Sequence, residues 1–459
     1  MDNYSSPISP RPSRIGFHYY PDALHYRASD LQTWTPELKN MGVSWLVLQS
    51  PLDRAIPEAF ITGLLDEQIE PIIQFNFSLA SPPDPDDLRP LFTSYQRWGV
   101  RSVLLFDRPN ARSSWPASGW TQKDLVNRFL DVYLPLANLA LYAGLVPVLP
   151  PLEPGGSYWD TAFLRSTLEL LAKRKEMQLL ENLVISAYAW SGGHSLNWGA
   201  GGPERWPNSR PYFTSPDEED QRGFRIFDWY KAIAQVTLGR TPPIMLLGAG
   251  IPTDPLQIQA ETAEEEKHAA TNLAVAKLLA GETVADPDDP NEMLEAIPEE
   301  VIACNFWLLA TGANSPYQSQ AWFHEDGRRL SAALQLRQWW SQPKGKQPTT
   351  FKNRKTGMKE EILTAKNYWP SSFRPIRHYL LLPIYENGSE LEAIQPFVRK
   401  YNPTVGFSLA EAALASRVTV IGDAGRFPEE TLERLRNAGC IVERVSGDGT
   451  SVATKLAER

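Results

Sequence analysis

Two acidic residues with the character of catalytic groups follow apolar runs of the chain. Asp107 ends the run in VRSVLLFDRPN (100–110), and Glu153 lies between prolines in LPPLEPGG (149–156). A carboxyl group in an apolar, proline-walled pocket has a raised pKa, as a general acid requires. A second carboxylate could then act as the base that activates a water molecule. The sequence therefore offers Glu153 as an acid and Asp107 as a base.

Arg108 gives the same residues a second interpretation. It follows Asp107 directly, and the run that carries it precedes the run that carries Glu153. If the two runs form neighbouring strands, Arg108 and Glu153 could form an ion pair. Such a pair neutralises both charges and needs no catalytic function. The sequence leaves both interpretations open.

The apolar runs alternate with amphipathic helical patterns up to about residue 342. Eight runs are expected to be strands: 14–20, 44–50, 70–78, 101–107, 145–152, 182–190, 242–250 and 302–311. Several of the helical patterns begin at Asp and end at Gly, which favour the N-terminal and C-terminal ends of helices. Eight alternating units predict an α/β protein whose first domain is a (β/α)8 TIM barrel.

In such a barrel, function resides at the carboxyl ends of the strands and in the loops that follow them, together called the barrel mouth here. The candidates for ligand binding there are His18, Asn76, Arg108, Asn110, Tyr188, Trp190, Trp198 and Trp307. Gln49, Asp22 and Asp53 also lie at predicted strand ends. In the long loop after the sixth strand, Trp198, Trp206 and Tyr212 could form a platform for sugar rings. They could equally pin that loop onto the barrel.

Composition limits the partners and cofactors. The formal net charge of −9 argues against a nucleic-acid or anionic membrane surface. The two cysteines, Cys304 and Cys440, cannot build a disulfide framework, and the six His have no metal-ligand spacing, so no metal or cofactor is expected. The acidic turn DPDDPN (286–291) could hold calcium, but such turns are usually only solvated. No signal-peptide pattern or membrane-spanning run is present, so a cytoplasmic location is the default expectation.

The pattern changes after the barrel, which is expected to occupy residues 1–342. Residues 343–375 are rich in Lys, Pro and Thr with little periodicity, and are expected to be a linker or an excursion. Residues 376–459 carry a second strand and helix alternation, which predicts a small doubly wound, flavodoxin-like α/β domain. Its GDAG and SGDG turns lack the spacing of a nucleotide-binding fingerprint.

The fourth and seventh strand ends resemble those of the retaining glycoside hydrolases of the (β/α)8 type. In that superfamily the fourth strand ends Asn-Glu-Pro-Asn, and the seventh reads as a proline, an apolar run and Thr-Glu-x-Gly. The matching residues here are Pro109, Asn110 and Gly250. Asp107 stands at the family's Asn, Arg108 at its acid/base Glu and Gly248 at its nucleophile Glu. The resemblance covers roughly residues 14–340 and implies a barrel that has lost both catalytic glutamates.

The family mechanism needs two carboxyl groups about 5–5.5 Å apart. Arginine donates no proton at neutral pH and glycine has no nucleophile, so the resemblance implies that this mechanism is absent. We expect Arg108 and the backbone of Gly248 to face each other across the barrel mouth. The first hypothesis is a saccharide-binding pseudoenzyme.

Two other hypotheses remain open. One is an active glycoside hydrolase with relocated carboxyl groups about 6.5–9.5 Å apart, centred on Glu153 with Asp107, Asp22 or Asp53 as the base. The other is a non-catalytic scaffold or assembly protein whose own loops close the mouth.

The C-terminal stretch from Arg417 to Glu458 is similar to one unit of the cell-wall-binding repeats of Gram-positive bacteria. Arg444, Gly447 and Thr454 fit that pattern, whereas Gly422 is followed by Asp423 in place of a second Gly. The resemblance implies a possible cell-envelope or protein partner for this domain.

Overall fold

The computed structural model describes residue 8 and residues 11–251, 263–312, 315–342, 376–382, 394, 397–398, 401, 403–406, 409–413 and 415–446. The chain divides into two compact units, residues 1–344 and 345–459. The expected linker, residues 343–375, lies outside the described residues.

The first unit is built on eight parallel strands in the order β5-β4-β3-β2-β1-β8-β7-β6. They are β1 (Ile15–His18), β2 (Trp45–Gln49), β3 (Glu70–Phe75), β4 (Ser102–Leu105), β5 (Val146–Val148), β6 (Ile185–Trp190), β7 (Ile244–Gly250) and β8 (Val301–Phe306). The first seven fall within the expected runs, β8 begins one residue before its run, and all eight are shorter than expected. In β4 the cause is local, since Phe106 takes a left-handed φ of 69° and ends the strand.

Helices separate the strands, as a parallel sheet requires. They are α1 (Ala28–Asn40), α2 (Glu58–Asp66), α3 (Pro85–Arg97), α4 (Ala117–Trp120), α5 (Leu125–Tyr142), α6 (Asp160–Lys173), α7 (Met177–Glu181), α8 (Gly202–Arg205), α9 (Ile226–Leu238), α10 (Ala263–Leu279) and α11 (Ser331–Trp340). Every helix among the described residues is too short or too polar to cross a lipid bilayer.

The sheet closes between β5 and β6 through a short contact. Val148 and Val184 form a single parallel bridge. The Leu149 N–H donates to the Val184 carbonyl at 2.9 Å, and the Ser186 hydroxyl donates to the Leu149 carbonyl at 2.5 Å. Because β5 and β6 then lie side by side, the ends of β4, β5 and β6 are neighbours at the mouth. The predicted (β/α)8 barrel is confirmed.

Apolar side chains fill the barrel, so its interior is a packed core. The inward-facing cluster contains Ile8, Trp45, Val47, Ile72, Leu104, Val146, Val148, Val184, Tyr188, Met245, Leu247 and Ala303. A second, larger cluster packs the outer side chains of the strands against the helices. Strand residues therefore alternate between the two clusters, which is how a short strand buries both faces.

The second unit has a four-stranded parallel sheet in the order β10-β9-β11-β12. Its described elements are β9 (Ile376–Leu381), β10 (Thr404–Gly406), α12 (Leu409–Ala412), β11 (Ala415–Ile421), α13 (Glu429–Asn437) and β12 (Ile441–Val445). Tyr379 and Leu381 belong to one buried cluster and Leu380 and Leu382 to another, so both faces of the sheet are covered. This is the expected doubly wound α/β arrangement. Gly447 and Thr454 lie outside the described residues.

A buried carboxyl group holds the loop after β5 in place. Asp160 begins α6 and is fully buried. Its Oδ1 accepts hydrogen bonds from the Gly155 N–H at 2.9 Å and from Gln221 Nε2 at 2.8 Å, and its Oδ2 accepts one from the Tyr230 hydroxyl at 3.0 Å. Burial raises the pKa of Asp160 to about 6, against the opposing effect of these hydrogen bonds. Since Tyr230 lies on α9, Asp160 ties the loop that carries Glu153 to a neighbouring helix.

Asp160 should make the stability of the barrel depend on pH. The folded protein binds more protons than the unfolded chain between the ordinary pKa of 3.8 and about 6, so the free energy of unfolding should fall as the pH rises through this window. The loss should be on the order of 2–3 kcal/mol. In Asp160→Asn the side chain is neutral throughout and keeps an acceptor oxygen. Urea unfolding from about pH 4 to about pH 7 should show wild type losing stability relative to Asp160→Asn, with the exposed Asp66→Asn as control. A difference that does not change with pH would contradict the assignment.

Candidate functional site

One guanidinium group lies between two carboxylates at the ends of β4 and β5. Arg108 Nε is 3.2 Å from Asp107 Oδ2, and Arg108 Nη1 is 3.1 Å from Glu153 Oε2. These three residues are called the charged cluster below. The ion pair between Arg108 and Glu153, one of the two interpretations of the sequence, is therefore present.

The backbone after β4 turns sharply to present these charges. Arg108 takes a left-handed φ of 44°, and its N–H donates to the Pro151 carbonyl at 3.0 Å. Asn110 is fully buried and bridges the same two loops. Its Oδ1 accepts from the Glu153 N–H at 2.8 Å, while its Nδ2 donates to the carbonyls of Glu153 and Tyr158, both at 2.9 Å. The Asn110 side chain was expected to bind a ligand. It bonds instead to protein groups and connects the two loops.

Tyr188 on β6 completes the surroundings of Asp107. Its hydroxyl donates to Asp107 Oδ1 at 2.7 Å, and the Arg108 guanidinium carbon lies 5.0 Å from the centre of its ring. Burial raises the pKa of Asp107, while Arg108 and Tyr188 oppose that rise. The sequence had suggested Glu153 as the enclosed carboxyl group instead. The Glu153 side chain is 42% exposed, so the enclosing apolar pocket expected for it is not formed.

Tyr188 and Trp190, called the aromatic pair below, extend from the charged cluster to β7. Their rings are nearly parallel, at 11° with centroids 6.5 Å apart. Tyr188 pairs with Gly248 across β6 and β7, and a Cβ on Gly248 would lie 2.4 Å from Trp190 Cζ2. The contacts therefore run from Arg108 through both rings to Gly248. The space that a side chain at position 248 would need holds the indole of Trp190.

His18 and Trp307 lie on β1 and just after β8. His18 is buried, and burial lowers its pKa to about 4, so a neutral imidazole bonds through Nε2 to the Leu247 carbonyl. The ring of Trp307 meets His18 edge to face at 5.0 Å, and its indole N–H donates to Gln320 Oε1 at 2.7 Å. His18 Nε2 and the indole N–H of Trp307 are therefore both engaged within the protein.

Asn76 belongs to a closed ring of three amides at the ends of β2 and β3. Gln49 Nε2 donates to Gln74 Oε1 at 2.8 Å, Gln74 Nε2 donates to Asn76 Oδ1 at 3.0 Å, and Asn76 Nδ2 donates to Gln49 Oε1 at 2.9 Å. The sequence pointed to Asn76 and Gln49 but not to Gln74. The signal was available, because Gln74 and Asn76 are two positions apart at the end of a strand and so share a face.

In the long loop after β6, two of the three candidate rings make their contacts within the loop. Trp198 stacks on His194 at 4.0 Å, and its Nε1 lies 3.5 Å from Asp220 Oδ1. Trp206 Nε1 donates to the Ala200 carbonyl at 3.0 Å. Tyr212 is 62% exposed. For Trp198 and Trp206, these contacts support the alternative in which the rings pin the loop.

Within the part of the chain that the structure describes, His, Cys, Asp and Glu side chains form no group of three that could hold a metal ion. In the acidic turn, Asp286 Oδ1 accepts from the Asp288 N–H at 2.8 Å, and Lys267 pairs with Asp288 at 2.9 Å.

No protein-family model matches the chain, and no curated protein matches it. Solved structures that are similar include a GH128 (subgroup II) endo-beta-1,3-glucanase from Sorangium cellulosum, with 11% identity, a TM-score of 0.38, and 71% of this chain and 97% of that chain covered. A triple mutant of an endo-beta-1,4-glucanase from Xanthomonas axonopodis pv. citri has 12% identity and a TM-score of 0.38, with 74% and 95% covered. A fructose-bisphosphate aldolase from Plasmodium falciparum has 14% identity and a TM-score of 0.29, with 54% and 67% covered. At these values the similarities carry no argument about activity, which must come from the site.

The contact between Trp190 and Gly248 can be tested by Gly248→Ala. The Gly248 backbone is outside the left-handed region, so alanine costs only the steric clash with the indole. We expect the free energy of unfolding to fall by about 1–3 kcal/mol. In the Trp190→Ala background the same substitution should cost almost nothing. Urea unfolding of the four proteins gives this double-mutant cycle, and an equal cost in both backgrounds would refute the contact.

Proposed function

We propose that the barrel mouth binds a saccharide and does not cleave it by the two-carboxylate mechanism. The aromatic pair carries this proposal. Trp190 is only partly buried, is held nearly parallel to Tyr188, and lies beside polar strand ends. A partly exposed ring held in one orientation next to hydrogen-bonding groups suits the apolar face and hydroxyl edge of a sugar.

The geometry of the charged cluster supports the absence of that mechanism. Arg108 stands where the family has its proton donor, and it is bonded to both nearby carboxylates. Trp190 covers Gly248, where the family has its nucleophile. A glutamate introduced at only one of these positions would lack its partner, and catalytic groups of this kind act as a unit.

One observation favours a second candidate, an active hydrolase with relocated carboxyl groups. Asp107 is partly enclosed, and burial raises its pKa, as a general acid requires. Glu153 lies on the other side of Arg108 and is accessible to water. In this candidate Asp107 would be the acid and Glu153 the base, the reverse of the roles suggested by the sequence.

We expect no turnover of aryl glycosides or polysaccharides above background by the wild-type protein. Arg108→Glu should not restore it, because Gly248 supplies no nucleophile. Reducing-sugar and chromogenic assays over a broad panel measure this. Cleavage by wild type that disappears in Asp107→Asn and Glu153→Gln would establish the relocated hydrolase instead.

Saccharide binding should quench or shift the fluorescence of Trp190. Trp190→Ala should weaken binding by about 1–3 kcal/mol, in line with losing a large stacked ring. Trp198→Ala is the matched control, because His194 already covers that ring. Calorimetric titration with oligosaccharides compares the three proteins. If no saccharide binds wild type, the scaffold hypothesis replaces this proposal.

A further inference from the structure

The three amides of Gln49, Gln74 and Asn76, called the amide ring below, constrain one another's orientation. Each carbonyl oxygen accepts from one neighbour and each nitrogen donates to the other. Reversing one amide would set two donors or two acceptors against each other, so only a flip of all three preserves the ring. Gln74 is 4% exposed and anchors the ring on the inner face of β3. The orientation of the exposed Asn76 amide is therefore coupled to those of Gln49 and Gln74 before any ligand arrives.

The amide ring retains hydrogen-bonding capacity. A primary amide has two N–H donors and a carbonyl oxygen with two lone pairs. The ring uses one donor and one lone pair of each amide. Asn76 is exposed and Gln49 is partly exposed, so each can still offer a donor and an acceptor to the mouth. A donor beside an acceptor complements a hydroxyl group, which both donates and accepts.

The amide ring lies next to the charged cluster. The Phe106 N–H donates to the Phe75 carbonyl at 2.9 Å, which sets the residues after β4 beside Asn76. The cluster contains two carboxylates and one guanidinium, so it is net negative when both carboxylates are ionised. A guanidinium group such as that of Arg108 can pair with the carboxylate of an acidic sugar. Its charge is instead balanced within the protein, and a third carboxylate would meet excess negative charge.

We propose that the amide ring is the hydroxyl-recognition site of the mouth and that its ligand is a neutral saccharide, not a uronic acid. This inference rests on the proposed saccharide-binding function and adds the ligand class and the residues that select it. Asn76 and Gln49 bond directly to sugar hydroxyl groups, and Gln74 positions them. The charged cluster disfavours anionic sugars.

Matched neutral and acidic ligands test the inference. The probes are α-1,4-galactotriose against trigalacturonate, and cellotriose against its glucuronate counterpart, titrated calorimetrically into the full chain. Wild type should bind one of the neutral trisaccharides at least tenfold more tightly than its acidic counterpart. Asn76→Ala should weaken that binding at least tenfold. Glu153→Gln should reduce the ratio between the affinities for the neutral and the acidic trisaccharide. Asn138→Ala, an exposed amide on α5, is the control and should behave as wild type.

The outcomes separate this inference from the function on which it rests. If saccharides bind but Asn76→Ala matches Asn138→Ala, the amide ring is not the recognition site, and the proposed function stands. Tighter binding of either uronate than of its neutral counterpart also overturns the inference. If wild type binds none of the oligosaccharides used to test the proposed function, the proposed function fails. Thermal melting verifies that each variant is folded. If Asn76→Ala is unfolded, Gln49→Met takes its place. Unchanged saccharide binding by a folded Gln49→Met would overturn the inference.

Discussion

The position of Arg108 between two carboxylates is the interaction on which the barrel mouth depends. Its guanidinium contacts Asp107 and Glu153 and lies over the ring of Tyr188. The pairs with Asp107 and Glu153 are partly exposed, so each adds on the order of 1 kcal/mol or less to stability. Their main effect is on chemistry, because they commit both carboxylates to a cation that cannot release a proton.

The aromatic pair follows from the same constraint. The Tyr188 hydroxyl donates a hydrogen bond to the partly enclosed Asp107, and this bond orients the Tyr188 ring. Trp190, two positions further along β6, lies nearly parallel to that ring. That indole occupies the space over Gly248, so glycine at this position is a packing requirement. The charge at the end of β4 and the missing side chain on β7 are thus connected through two rings.

Loops hold this arrangement because their own polar groups are bonded internally. Asn110 binds the β4 loop to the β5 loop, and Asp160 binds the β5 loop to α9. The amide ring does the same for the ends of β2 and β3, but it keeps donors and acceptors for a ligand. The mouth therefore combines an ion-paired side, with one more carboxylate than guanidinium, and a hydrogen-bonding side.

The sequence by itself determined the barrel, because apolar runs, helical periodicity and terminal Asp and Gly residues are local signals. From the resemblance it also predicted that Arg108 and Gly248 stand where that superfamily has its two carboxylates, a prediction that depends only on position within a strand. It could not determine which polar side chains remain available to a ligand. Asn110 and His18 were expected to bind a ligand, but their side chains bond within the protein. Gln74 was not expected to take part in the site. Only the tertiary structure decided this, because hydrogen-bond partners and burial come from strands far apart in the chain.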